Sequence, residues 1–358
     1  MNFHRWLQAV TLACACVAAN AAAPLDATIA DYAKRHDFHG SVLVDQGGER
    51  IYARSFGLAE RAFQAPAGND TRFRIASITK LFTATLILQL HEQGRIDLQA
   101  PIASALPDYR GEGAATVTVH QLLNHTSGLK NFDTVTSYEE AARKGLETYQ
   151  LPHDSDELVR RYCSGPLAHE AGSTFDYNNA DYILLGKIVE KASGKSFEAA
   201  LQERILEPLG LRATGMPRQQ TIVRNLAATY FRPDPSAALI NDMPAYIENW
   251  YAAGGMVSTT GDLATFAAAL FGGKLLKPES LRAMLKPGLD DYGYGIWIAD
   301  AKVGERKTPV AHRPGRIMGA NTVLLRYLDE DVTVVILGNT NLADLDAFAF
   351  LIGKTLIR

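Results

Sequence analysis

Phe73-Arg74-Ile75-Ala76-Ser77-Ile78-Thr79-Lys80 sets a hydroxyl and an amine three residues apart, just where an apolar run begins. From Ile78 to Leu90 the apolar positions are 78, 81, 82, 84, 86, 87, 88 and 90, and the run stops at Gly94. A helix so apolar on all sides is a buried one, and on it Ser77 and Lys80 share a face. Ser77 falls in the first turn, where free backbone N–H groups and the positive end of the dipole favour developing negative charge. A serine hydroxyl becomes a useful nucleophile once a neighbouring base takes its proton, and a lysine whose pKa is lowered by burial can serve. Serine is also a common N-cap, so the pair by itself equally suits a plain helix start.

Upstream of this helix, Leu25 to His36 reads as a helix. Ser41 to Asp45 and Ile51 to Phe56 read as a hairpin turned by Gln46-Gly47-Gly48-Glu49. Downstream lies a long, mostly helical middle, with Val119–Asn124, Asp156–Cys163, Tyr182–Ala192 and Phe197–Leu206 as its segments. Between Met216 and Trp250 prolines 217, 233, 235 and 244 mark a long loop system of the sort that often carries function. Gly261 to Phe271 is a helix, followed by strands at Tyr294–Ile298, Thr308–Arg313, Asn321–Leu328 and Val332–Asn339. Leu345 to Leu356 is a closing apolar helix. Strands at both ends with helices between predict an α+β fold: one antiparallel sheet from about 25–75 and 255–358, with a helical insertion over about 76–254.

The chain has 358 residues, 47% hydrophobic and 21% charged, enough for a large core. Residues 1–21 read as a secretory signal, with Arg5 as the positive start, Trp6 to Ala19 as the apolar segment and Ala19-Asn20-Ala21 as the cleavage site. The expected mature domain is therefore 22–358, periplasmic or secreted. Cys14 and Cys16 lack a convincing lipid-attachment pattern, and no run of eighteen apolar residues predicts a membrane span. Without Arg5 there are 35 basic against 39 acidic residues, which gives no reason to expect nucleic acid as a partner. Cys163 alone survives processing, so no internal disulfide is expected, and a lone cysteine is usually a packed small hydrophobe. The nine histidines form no metal-binding pattern, and neither a metal nor a cofactor is expected.

With Gly94-Arg95-Ile96-Asp97-Leu98 after the helix, Leu122-Leu123-Asn124-His125-Thr126-Ser127-Gly128-Leu129, Ala171-Gly172-Ser173-Thr174-Phe175-Asp176-Tyr177-Asn178-Asn179 and Ala253-Gly254-Gly255-Met256-Val257-Ser258-Thr259, the sequence resembles the serine β-lactamase and penicillin-binding-protein superfamily. The branch it resembles holds class C β-lactamases, D-alanyl-D-alanine carboxypeptidases, D-aminopeptidases and related esterases, and the likeness spans nearly the whole mature chain. The resemblance implies Ser77 as the acylated nucleophile, Lys80 as its partner, and Tyr177 with Asn179 as the tyrosine-x-asparagine motif. A phenol beside an ammonium has its pKa pulled down and can exchange protons with serine and leaving group, while the Asn179 amide can orient substrate and lysine. His125 reads as structural, in a helix-ending turn. Trp250 and Tyr251 suit a cleft wall or a loop anchor equally.

The chain departs from the family at its third motif, where lysine or histidine, any residue and glycine are usual. Here Arg313-Pro314-Gly315-Arg316 takes that place, with His312 displaced by one, which on a strand reverses the face. The expectation is that Arg313 presents a cation to a substrate carboxylate, and that the N–H groups of Arg316 and Ser77 form an oxyanion hole. The resemblance thus implies a periplasmic serine hydrolase that acylates Ser77 with a small-molecule or peptide substrate: an ester, a D-amino-acid peptide or, weakly, a β-lactam. Its rival is a non-catalytic module that binds peptidoglycan fragments or β-lactams on the same fold, supported only by the altered third motif.

Overall fold

The computed structural model describes residues 24–133 and 138–357; the expected signal segment lies outside them. Six strands form one antiparallel sheet: β1 (Gly40–Gln46), β2 (Glu49–Phe56), β3 (Trp297–Val303), β4 (Arg306–Ile317), β5 (Ala320–Tyr327) and β6 (Val332–Gly338), in spatial order β2-β1-β6-β5-β4-β3. The β1–β2 hairpin turns through Gly47 and Gly48, both with positive φ, a conformation that glycine adopts without strain. β1 then pairs with β6 from Gly40↔Gly338 to Gln46↔Val332, which joins the two ends of the chain in mid-sheet.

Alternation along the strands sends side chains to two separate cores. Val334 and Ile336 point to an outer layer made by a first helix α1 (24–35) and the last helix, while Val335 and Leu337 point to the inner layer. The inner layer is built on α2 (Thr79–Glu92), α3 (Asn179–Ser193) and α4 (Thr260–Phe271), the outer one on α1 and α5 (Leu345–Leu356). Within the inner core Phe82 of α2 stacks on Phe266 of α4 with centroids 3.8 Å apart. From Thr79 to Leu88 every residue of α2 is buried, Lys80 included, as its all-round apolar pattern predicts. Among the described residues no helix is long and apolar enough to cross a membrane.

One strand differs from expectation. Tyr294–Ile298 is mostly a loop, and β3 begins at Trp297 and runs on through Ala299-Asp300-Ala301-Lys302-Val303. The apolar residues before it are buried because the chain folds back there, with Gly293 N–H bonded to Ile296 O and Gly295 at φ +77°. The polar residues after it make an edge strand that alternates toward solvent.

Candidate active site

The turn that carries Ser77 is gripped from two sides. Phe73-Arg74 pairs with Val257-Ser258, and the next N–H, of Ile75, donates to Met256 O at 3.0 Å. Ala76 follows at φ +47°, and Ser77 lies in a short 3₁₀ turn (Ala76–Ile78) that runs straight into α2. A left-handed alanine costs on the order of 1–2 kcal/mol and persists because its surroundings hold it. On the other side β4 lies against the turn at Gly315. A Cβ there would come within 2.6 Å of Ile75 O and 3.0 Å of Ser77 N. Thr322 of β5 clips the two segments together, donating to Ile75 O and Gly315 O, both at 3.1 Å.

Lys80, fully buried, has three acceptors for its ammonium: Ser77 Oγ at 3.2 Å, Asn179 Oδ1 at 2.7 Å and Ala253 O at 2.9 Å. The Ala253-Gly254-Gly255 stretch therefore contributes a backbone carbonyl to the site. Burial lowers the pKa of Lys80; the Tyr177 phenol raises it again and the Arg313 charge lowers it. Tyr177 sits two residues before Asn179, at the entry to α3, with its hydroxyl 2.8 Å from Ser77 Oγ. Asn178 caps that helix, its side chain accepting from Ala180 N–H. Burial pushes the Tyr177 phenol up, but the Arg313 and Lys80 cations together outweigh that and bring it down to about 8.

Arg313 is 1% exposed. Its guanidinium donates to the Tyr177 hydroxyl, to Ser77 O at 2.8 Å and to the Tyr292 hydroxyl at 2.8 Å. Trp297 covers it, 5.2 Å from ring centroid to guanidinium carbon, and stacks on Tyr177 at 5.7 Å. The cation expected to meet a substrate carboxylate thus lies beneath the phenol, with three of its five N–H donors engaged by protein. The reversal of faces along β4 is as expected, since His312 and Arg316 both turn to Asp346 of α5. Beyond His312, which pairs with Trp297, β4 is paired only with β5 among the described residues, so its edge at Gly315 and Arg316 is open beside Ser77.

His125 lies behind Tyr177 rather than beside Ser77, its ring 4.5 Å from the phenol ring. It sits at φ +57° in the His-Thr-Ser-Gly turn and pairs with buried Asp181 at 2.7 Å, while Ser127 donates to the same carboxylate at 2.6 Å. Burial drives His125 well down and Asp181 well up, toward their neutral forms. Trp250 lines a cavity next to the site and stacks on Tyr149 at 3.9 Å; Tyr251 is instead an anchor, buried against Phe197. Cys163 is buried, its thiol pushed well up by burial.

Four participants are absent from the sequence-based picture: Tyr292, Trp297, Asp133 and Tyr149. Asp133 accepts from Asn179 Nδ2 at 2.6 Å and from the Tyr149 hydroxyl, so the amide of Asn179 is held with its oxygen toward Lys80. Asp133 follows the His-Thr-Ser-Gly turn by five residues and belongs to no recognisable pattern; only its closeness to that turn hinted at it.

On this fold the site sets a serine at a helix start with a lysine one turn on. Residues 25–351 match the family described as Beta-lactamase, and the chain belongs to it. It is 28% identical over 329 residues to "Penicillin-binding protein 4*" of Bacillus subtilis (strain 168), covering 86% of this chain and 69% of the relative. It is 37% identical over 205 residues to "Esterase EstB" of Burkholderia gladioli, about half of each chain (55% and 52%). Among solved structures, a D-stereospecific amidohydrolase from Streptomyces sp. superposes with a TM-score of 0.78 at 26% identity, covering 92% of this chain and 98% of that one.

Proposed function

We propose that this protein hydrolyses a small ester or amide through an acyl-serine intermediate. The observation that carries this is the placement of Ser77 Oγ 2.8 Å from a phenol whose pKa two cations bring down to about 8. Ser77 Oγ attacks the carbonyl carbon and its proton passes to Tyr177. The N–H groups of Ser77 and Arg316 hold the oxyanion, since both line the open edge of β4. Collapse expels the alcohol or amine, which takes its proton back from Tyr177. Water then attacks the acyl-serine, gives a proton to Tyr177, and Ser77 leaves as the alcohol. Lys80 keeps Ser77 in place and, with Arg313, holds the phenol's pKa down.

Residues 22–358 act as one catalytic unit, and a leader at 1–21 carries it to the periplasm. The likeness to an esterase and an amidohydrolase supports esters and amides as substrates. β-Lactams are disfavoured because the cation expected to hold their carboxylate is buried beneath Tyr177. The same observation removes the support for a purely binding role, since the altered third motif forms part of the proton-transfer machinery.

The test is labelling with a fluorophosphonate followed by intact-mass spectrometry. Wild type is expected to gain one adduct, mapped by peptide digestion to Ser77, and Ser77→Ala none. An adduct of equal yield in the variant overturns the assignment.

A further inference from the structure

Residues 288–297 lead into β3, the edge strand beside β4, and their backbone is closely held. Asp290 and Asp291 both lie in the left-handed region, at φ +54° and +55°, which aspartate visits more readily than most residues because its short side chain bonds locally. Tyr292 N–H donates to Leu289 O at 3.2 Å and Gly288 N–H to Tyr292 O at 3.0 Å, which makes a tight reversal at the tyrosine. A Cβ on Gly293 would come within 2.2 Å of Met284 O, and one on Gly295 within 3.1 Å of Lys80 O and of the Tyr182 hydroxyl. The segment is therefore seated directly on the backbone that carries Lys80.

Within that segment Tyr292 is fully buried. Its ring packs nearly perpendicular to Trp297 at 4.6 Å and lies 5.0 Å from His125 and 5.3 Å from Phe175; packing as close as this holds a ring in one rotamer. There its hydroxyl accepts from Arg313 Nη1 at 2.8 Å, while Arg313 Nε donates to Ser77 O, also at 2.8 Å. A guanidinium is planar and rigid, so two anchored nitrogens decide where the third points, and Nη2 points at the Tyr177 hydroxyl. Among the described residues the Tyr292 hydroxyl reaches Ser77 and Tyr177 only through Arg313. A lysine, with one nitrogen on a flexible stem, would need no such second anchor. A buried arginine does, because an N–H left unpaired there is costly and turns toward whatever acceptor it can find.

Resting on the serine-hydrolase reading, we propose that Tyr292 is a positioning residue for proton transfer, acting through Arg313: it locks the guanidinium so that one N–H stays on the Tyr177 hydroxyl. The arginine that stands where the family has lysine or histidine is thus matched by a tyrosine from another part of the chain. The ionisable groups facing the Tyr177 phenol are Lys80 of α2, His125 with its partner Asp181, Tyr182 of α3, Arg313 of β4 and Tyr292 itself. Burial drives His125, Asp181 and both of these tyrosines toward their neutral forms, and Lys80 is tied to acceptors of its own. Arg313 is therefore the charge that a change at Tyr292 moves.

The experiment measures the second-order rate of fluorophosphonate labelling of Ser77 from pH 6 to 10 in wild type, Tyr292→Phe, Arg313→Gln and the double variant, with a urea melt of each. Tyr292→Phe keeps the ring and removes only the hydroxyl. A guanidinium that has lost its aim lets the Tyr177 pKa climb, so the acid limb of the profile should move to higher pH, with a loss of about tenfold at pH 7 for each unit moved. In the Arg313→Gln background the same change should cost nothing further, because no guanidinium is left to aim; residues that act as one unit are non-additive in this way. A Tyr292→Phe profile that keeps its wild-type midpoint overturns the proposal, as does a further loss of equal size in the double variant, which is what a merely structural tyrosine gives. Absence of any Ser77 labelling in wild type strikes the hydrolase reading and the proposal with it, whereas labelling with an unmoved profile strikes the proposal alone.

Discussion

Arginine at position 313 stays charged at any working pH, and it donates to the phenol that faces Ser77. Arg313→Gln removes the stronger of the two charges that hold Tyr177 down, so its pKa should rise from about 8. If the phenolate is the base, activity grows as pH climbs through that pKa. The acid limb of kcat/KM should then move to higher pH in the variant, with about a tenfold loss at pH 7 for each unit moved. Profiles from pH 6 to 10 that superimpose for wild type and variant would take Arg313 out of proton transfer. Ser77, Lys80, Tyr177 and Asn179 were legible as candidates because their spacing and the family likeness point to them. Arg313 was legible only as to face: alternation says which side of β4 it takes, not how deeply it is buried. That depth is set by Tyr292 and Trp297, which reach over it from the loop before β3 and its first residue, and no local pattern announces such a closure.

The element that aligns the site is the paired strand β4–β5, pressed on the Ser77 turn at a residue with no side chain. Gly315→Ala would set a methyl group 2.6 Å from Ile75 O and 3.0 Å from Ser77 N, both backbone atoms that cannot swing aside. Strand and turn must separate, and a misplacement near 1 Å costs on the order of a hundredfold in rate. The stability loss should be smaller, about 1–3 kcal/mol for an overpacked contact. Steady-state kinetics beside a urea melt will separate the two; full activity with lowered stability would mean the contact serves packing alone. At this scale the sequence was most readable where periodicity was strong. Helix α5 spans Leu345–Leu356 as its apolar spacing predicts, and α2 is buried all round. It was least readable at β3, where the burial of Tyr294 and Ile296 comes from the folded-back loop and not from a ladder.

Among the described residues two large cores share one sheet; the inner one and a small cluster around Ala76, Tyr149, Trp250 and Ile317 adjoin the site, and the outer one does not. Phe348 of α5 belongs to the outer core, stacked on Tyr32 at 4.1 Å and set edge-on to Phe38 at 5.6 Å. Phe348→Ala should cost about 3–5 kcal/mol of stability while kcat at 25 °C stays near wild type; a matching fall in kcat would show that the outer layer also governs the site. The arrangement of the sheet was legible because strands cluster at both chain ends, whereas the division into two cores needed the register. The mid-sheet union of β1 with β6 has a further bearing, on the order in which the molecule folds. Strand β1 ends at Gln46, yet the partner it pairs with runs from Val332 to Gly338. Until the two meet, the hairpin and the buried helix α2 lack the surface that covers them. Since pairing between segments so distant in sequence is slow, closure of the sheet's middle should be a late step, and the helices packed on it gain their cover only then.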